Sequence, residues 1–403
     1  MSKIIKPLRR SASLPWIAPG ATRILMHSSD KRAATSLSRV MPDADLLIAR
    51  ASREMHDAIT YKGTSVPVYM NHSPHLEDRV VALERLGCEI LDSTDQAFEF
   101  ERNDEGQITV LVEYPLAEHF YIFNPNWVAP FENDLGMKLR VRPLAHMTRE
   151  VLMHHPFVQN RPWFRNSGHM NPIASLVDGD ALLGEEFNDF IDTLRAEAVS
   201  RRIDKVEIAH DYIADRANDR MWSYVERRAK LCDRVFIVSM VLFHREEYRR
   251  KVPVELAMQH HAKFTNRLRA LAAVKRCLVG AIWKRDWSEA RGHHYRWIFI
   301  CDGEFVQAEW EWAELIETVW GDVVPQEAGF ADMLGHEGNE RFTGMINVDQ
   351  DTGKLARLKA EIRYWAMKDQ ALCLEPIPNA NAWGPFTPGG RIGKIKRSGK
   401  PSD

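Results

Sequence analysis

The chain is short of cysteine, has no long apolar run and carries almost no net charge, and each shortage removes a class of protein. Its five cysteines, Cys88, Cys232, Cys277, Cys301 and Cys373, are odd in number, widely spaced and form no CxxC pair. That excludes a disulfide-stapled framework and a cysteine-ligated structural zinc, and it points to a reducing compartment. No stretch approaches the roughly 20 consecutive apolar residues of a membrane-spanning helix. The positive charge between Lys3 and Arg10 is not followed by the apolar core of a secretory signal. The expectation is a cytoplasmic protein with no membrane partner. The formal net charge is −2, so the total announces no polyanionic partner either.

What is present is a chain of 403 residues, 45% of them hydrophobic, enough for two or three domains with a real core. Its charge is segregated. Positions 220 to 296 hold eighteen Lys or Arg against seven Asp or Glu, whereas positions 302 to 349 hold twelve acidic residues and only Arg341 as a base. A basic surface beside an acidic one suits a domain that grips a polyanion on one side; it equally suits packed helices with solvated faces.

Residues 1–20, punctuated by Pro7, Pro15, Pro19 and Gly20, read as a basic flexible arm. Residues 21–200 read as a mixed α/β domain of unknown role. It has a helix over 75–86 ended by Gly87, strands at 97–102 and 108–114 around the turn Asn103-Asp104-Glu105-Gly106, and an amphipathic helix over 185–199. His154, His155 and His169 have no neighbours at metal-ligand spacing and read as surface histidines.

Residues 205–378 read as a second domain, and 379–403 as a basic tail rich in Gly and Pro. Within the second domain the pattern predicts a helix over 216–231, strands at 235–243, 277–283, 293–300 and 343–349, and helices over 254–274, 310–320 and 354–369. Residues 284–292 form a basic connection between two of those strands. His261 falls on the apolar stripe of the second helix and reads as a hydrogen-bonded core residue. The order places this half in the α+β class, a small antiparallel sheet of ferredoxin- or RRM-like character with helices on one face.

Two stretches carry candidate chemistry. Arg291-Gly292-His293-His294-Tyr295-Arg296 leads into the apolar strand Trp297-Ile298-Phe299-Ile300. Side chains alternate along a strand, so His294 and Arg296 share a face and can converge on one phosphate or metal ion. On an uncovered sheet face they would meet a ligand directly. The last helix buries Leu355, Leu358, Ile362 and Trp365 and leaves Arg357, Glu361, Tyr364 and Lys368 as a polar face. Tyr364 and Lys368, one turn apart, can act on the same group. A tyrosine hydroxyl attacks phosphate only if a cation or metal activates it.

Gly292-His293-His294-Tyr295-Arg296 before an apolar strand, followed by Tyr364-Trp365-Ala366-Met367-Lys368-Asp369-Gln370 on a later helix, resembles the filamentous-phage (inovirus-type) replication initiators. It is similar also to the related prophage YagK/YfjJ C-terminal-domain group. The resemblance covers residues 205–378 and implies an HUH-endonuclease-like fold. In that class strand histidines bind a divalent metal, Mg2+ or Mn2+, and a helix tyrosine attacks a DNA phosphodiester. Carried over, Tyr364 is the nucleophile with Lys368 beside it, and His294 matches the first metal-binding histidine. Arg296 stands where the second belongs, and an arginine cannot ligate a metal. Met367 stands where the family has its lysine, with Lys368 one place late.

Two functions follow from the resemblance. One is a replication initiator of a prophage or plasmid-type mobile element that binds single-stranded or hairpin origin DNA and nicks and rejoins it through Tyr364. Arg296 would then supply to the phosphate the charge that a metal supplies elsewhere. The other is a non-catalytic DNA-binding regulator on the same scaffold. Phosphate contacts in either come from Arg245, Arg249, Arg250, Lys251, Lys284, Arg285 and Arg291.

Overall fold

Residues Arg234–His244 are buried at every position after the first. A strand apolar on both sides needs cover on both sides. In the computed structural model this segment is the central strand of a six-stranded antiparallel sheet. The structure describes residues 2–7, 17–27, 60–61, 64–65, 76–132, 138–159, 170–174, 181–249, 251–288, 291–324, 328–333, 342–374 and 380–389. The chain divides into two units, Met1–Ile48 with His72–Asp211, and Ala49–Asn71 with Tyr212–Asp403.

The first unit contains strands β1 (Ser2–Pro7), β2 (Ile17–His27), β3 (Phe98–Arg102) and β4 (Ile108–Glu113), in the order β1-β2-β4-β3. The β2-β4 pair is parallel and the others antiparallel. The flexible arm expected over residues 1–20 is corrected in its described part. Ser2–Pro7 is a strand in register with Thr22–His27, with Pro7 at its end, where a missing amide hydrogen matters least. Around the sheet stand α1 (Leu76–Asp92), α2 (Pro143–His154), α3 (Leu183–Ser200) and the first turns of α4 (Ile203–Ala229). Phe98, Phe120, Phe157, Phe187 and Phe190 form the aromatic heart of this unit, all fully buried. His155 corrects the surface reading of that histidine. It is buried, its Nδ1 accepting the Phe157 amide and its Nε2 on Asp189 at 3.1 Å. His154 is exposed, and His169 lies outside the described residues.

In the second unit, the six-stranded sheet begins with β5 (Arg234–His244), followed by α5 (Val254–Ala270), β6 (Leu278–Ser288), β7 (Gly292–Asp302) and α6 (Glu309–Val323). Then come β8 (Gly329–Met333), β9 (Gly344–Asn347), α7 (Thr352–Ala371) and β10 (Trp383–Phe386). The sheet runs β8-β5-β7-β6-β10, with β9 on the other stretch of β5. The α+β class and the antiparallel sheet are therefore as expected. The tail is corrected at Trp383–Phe386, an edge strand on β6 that tolerates Pro385 because only one side of it is paired. Phe386 is fully buried.

The sheet has helices on both faces, which corrects the uncovered face inferred from the element order. On one face Tyr295, Trp297, Phe299 and Cys301 pack with Ala257, Phe264 and Leu268 of α5 and with Trp312, Ile316 and Trp320 of α6. Rings lock this layer, Trp297 stacking on Phe299 at 5.1 Å and His261 on Tyr295 at 3.8 Å. The other face is covered by α7 and the end of α4. At Gly280 a methyl group would meet the Tyr224 hydroxyl at 2.8 Å and Arg228 at 2.9 Å, so only glycine admits α4 there.

Candidate functional site beneath the last helix

Strand pairing brings four polar residues of the α7-covered face together. His294 of β7 is opposite Asp286 of β6, and Arg296 is opposite Lys284. Facing residues of an antiparallel pair point to the same side. All four are buried, Lys284 and His294 to 1% exposure. The turn that starts β7 uses Gly292 at φ 62°, a left-handed conformation that costs glycine nothing.

Lys368 reaches down from α7 to close the group. Its Nζ lies 2.5 Å from Asp286 Oδ2, and the same oxygen lies 3.2 Å from Arg296 Nε. Asp286 Oδ1 accepts the Trp287 amide at 2.9 Å. Lys284 donates to the Trp365 carbonyl of α7 and pairs with Asp369 at 2.9 Å. Burial alone would raise the Asp286 pKa, but Lys368, Arg296 and Lys284 hold its carboxyl well below the usual range. Burial also drives the His294 imidazole down to about 3, against the pull of Asp286 and with help from Arg296 and Arg291. His294 is therefore neutral at pH 7. Its Nδ1 sits 2.9 Å from the Gly292 carbonyl and donates to it, leaving the lone pair on Nε2. That nitrogen is buried without a hydrogen-bond partner among the described residues.

The two stretches singled out in the sequence thus meet, through Lys368, Asp286 and Arg296. Tyr364 stands one turn before Lys368 on the same helix and is 6% exposed. The donor set does not suit a divalent cation at His294. The nearest carboxylate is engaged by two cations and a third stands beside it, so the positive surroundings oppose a metal ion and favour an anion.

The expected phosphate contacts are scattered. Lys284 is corrected from a surface contact to a buried ion-pair member, because β6 runs on to Ser288 and does not end before a loop. Arg285, half-buried, points to the opposite face, where its Nη1 lies 2.8 Å from Met258 Sδ. Arg291 is half-buried, its guanidinium 5.8 Å from the Phe243 ring. Arg245 and Lys251 are exposed. Arg250 and the side chain of Arg249 lie outside the described residues. Sequence reasoning missed Asp286, the hub. Its signal was the period-two run Lys284, Asp286, Ser288, which continues the strand's alternation past the last apolar residue. It also passed over Lys263 and Arg267 on the solvent side of α5, and Lys275 and Arg276 after it, all exposed. Beside them, α6 exposes Glu311, Glu314, Glu317 and Asp322, and Arg267 donates to the Asp322 carbonyl at 3.1 Å. The charge segregation of the sequence thus becomes a basic helix next to an acidic one.

A scan of protein-family models, a search of curated proteins and a search of solved structures each returned no match to this chain. Similarity shows no family. Function rests on the site and its surroundings.

Proposed function

We propose that this chain is a DNA-binding protein on a replication-initiator-like scaffold, whose tyrosine–lysine helix is clamped to the sheet and does not cut DNA. The observation that carries this reading is the sharing of Asp286 Oδ2 by Lys368 and Arg296 under α7. The resemblance sets a helix tyrosine and lysine against a histidine-bearing strand, and in this chain those stretches do converge. The meeting point, however, is filled. The two cations that would stabilise a phosphate transition state are engaged by a carboxylate, and Tyr364 is enclosed where in-line attack requires an accessible oxygen.

DNA is then held by exposed charge. Arg245, Lys251, Lys263, Arg267, Lys275 and Arg276 present cations to solvent, and such side chains neutralise phosphates with release of counterions. Base specificity is a separate matter, since phosphate contacts position without reading sequence. A second reading, nicking through Tyr364, is favoured by its place one turn from Lys368 at the same junction.

One experiment separates the two. The protein is incubated with single-stranded circular DNA and with a duplex, binding is followed across salt concentration, and products are run on a denaturing gel beside Tyr364→Phe. The proposal expects binding that weakens linearly in log–log form with salt, by roughly 0.7 in slope per single-strand phosphate contact, with no covalent adduct. An adduct lost in Tyr364→Phe establishes nicking, and absence of salt-dependent binding sinks both readings.

A further inference from the structure

The first unit holds a cluster that the DNA reading does not use. On α4, Glu207, His210 and Asp211 occupy positions i, i+3 and i+4, which a helix places on one face. One ligand atom from each lies within 4.8 Å of the others. Glu207 is fully buried and Asp211 nearly so. Arg142 at the start of α2 pairs with Glu84 at 2.7 Å, with Glu207, and with Asp211 at 3.3 Å, so three buried carboxylates share one guanidinium. Arg140 adds positive potential at His210. Glu207 also accepts the Leu144 amide at 2.7 Å.

His210 is the independent pointer to a ligand. Both of its ring nitrogens are shut away from solvent, and neither has a hydrogen-bond partner among the described residues. A neutral imidazole carries one donor and one acceptor, and leaving both unmet inside a protein is costly unless something else occupies the acceptor. A metal ion fills that role, since it takes the ring lone pair and meets the two carboxylates within 4.8 Å.

We propose that Glu207, His210 and Asp211 form a binding site for a borderline divalent transition metal, of the zinc or cobalt class. One imidazole nitrogen with two carboxylate oxygens suits these ions, whereas Ca2+ and Mg2+ prefer oxygen alone. Each carboxylate oxygen has a second lone pair, so Glu207 and Asp211 can ligate while still accepting from Arg142. The site is in the unit that the DNA reading leaves without a role and stands or falls independently of it.

The test uses the full chain, stripped with chelator, loaded with Zn2+ and freed of excess by gel filtration, with metal per chain and Tm measured. A parallel Co2+ titration reads the visible absorption of a nitrogen–oxygen site. Wild type is expected to retain one equivalent of Zn2+ more than His210→Ala and to gain Tm on loading, while His210→Ala gains none. His210→Ala removes no hydrogen bond seen in the structure, so its metal-free Tm should equal or exceed that of wild type. Asp211→Asn keeps shape and should weaken binding at least tenfold. Equal metal content and equal Co2+ spectra in wild type, His210→Ala and His210→Gln would overturn the proposal, as would wild type that retains no zinc.

Discussion

The two units each bury a charge cluster, and the clusters are opposite in sign. Beneath α7, Lys284, Arg296 and Lys368 gather on Asp286, with Asp369 at the margin. Beside α4, Glu84, Glu207 and Asp211 gather on Arg142. Both follow one rule: a buried charge is tolerated when its partners cancel it and its remaining bonds are met. They differ in how complete the cancellation is. The second-unit cluster is the more nearly closed: Lys284 has both Asp369 and a carbonyl, Asp286 uses both oxygens, and His294 lacks a partner among the described residues at Nε2 alone. The first-unit cluster is the more open, with Glu84 raised to about 7 chiefly by burial and both ring nitrogens of His210 unmet among the described residues. A closed cluster is architecture, and an open one is a place for a ligand.

The largest expected effect breaks the centre of the open cluster. Arg142→Met takes from three buried carboxylates the guanidinium that they share and should cost about 5 kcal/mol, read as a fall in denaturant midpoint at pH 8. Next, Asp286→Asn leaves three cations facing one another and should cost about 3 kcal/mol, less because Lys284 keeps Asp369. The double variant Asp286→Asn with Lys368→Met should recover part of that loss. A cycle showing no coupling would mean that the ion pair does not hold α7 to the sheet.

A smaller effect is graded by pH. In the folded second unit burial lowers His244 and His293 to about 4, and His261 and His294 to about 3. The unfolded chain titrates these groups near ~6.5. Between those values the unfolded state binds more protons, so stability should fall as pH drops from about 6.5 toward 4. Asp286, with its folded pKa depressed, acts separately. Its contribution is complete above the ordinary carboxylate value and is lost only at still lower pH. His261→Phe keeps a ring against Tyr295 and should flatten the slope between pH 6.5 and 4 in thermal melts.

Much of the second unit was legible because its strands and helices are long and strongly periodic. The sequence pattern places the segments around β5, β7 and α7 to within a few residues, and it marks out Tyr364, Lys368, His294 and Arg296. The strand ends were not legible. Lys284 to Ser288 read as a loop because charge interrupts the apolar run, yet charge can remain in a strand when a helix bearing its counter-ion covers it. That same cover hid the burial of Arg296, since element order does not say how many helices lie on each face. Edge strand β10 was lost behind Pro385 and Gly384. In the first unit the Arg142 cluster joins α1, α2 and α4, and contacts of such sequence separation leave no local pattern to read.

The central claim is that exposed cations bind DNA while the buried ones hold the fold. It is tested most directly by single-stranded DNA anisotropy on a charge-reversed variant carrying Lys251→Glu, Lys263→Glu and Lys275→Glu, with Tm as control. The account predicts unchanged Tm and at least a tenfold loss of affinity at low salt. Undiminished binding by that variant would contradict it.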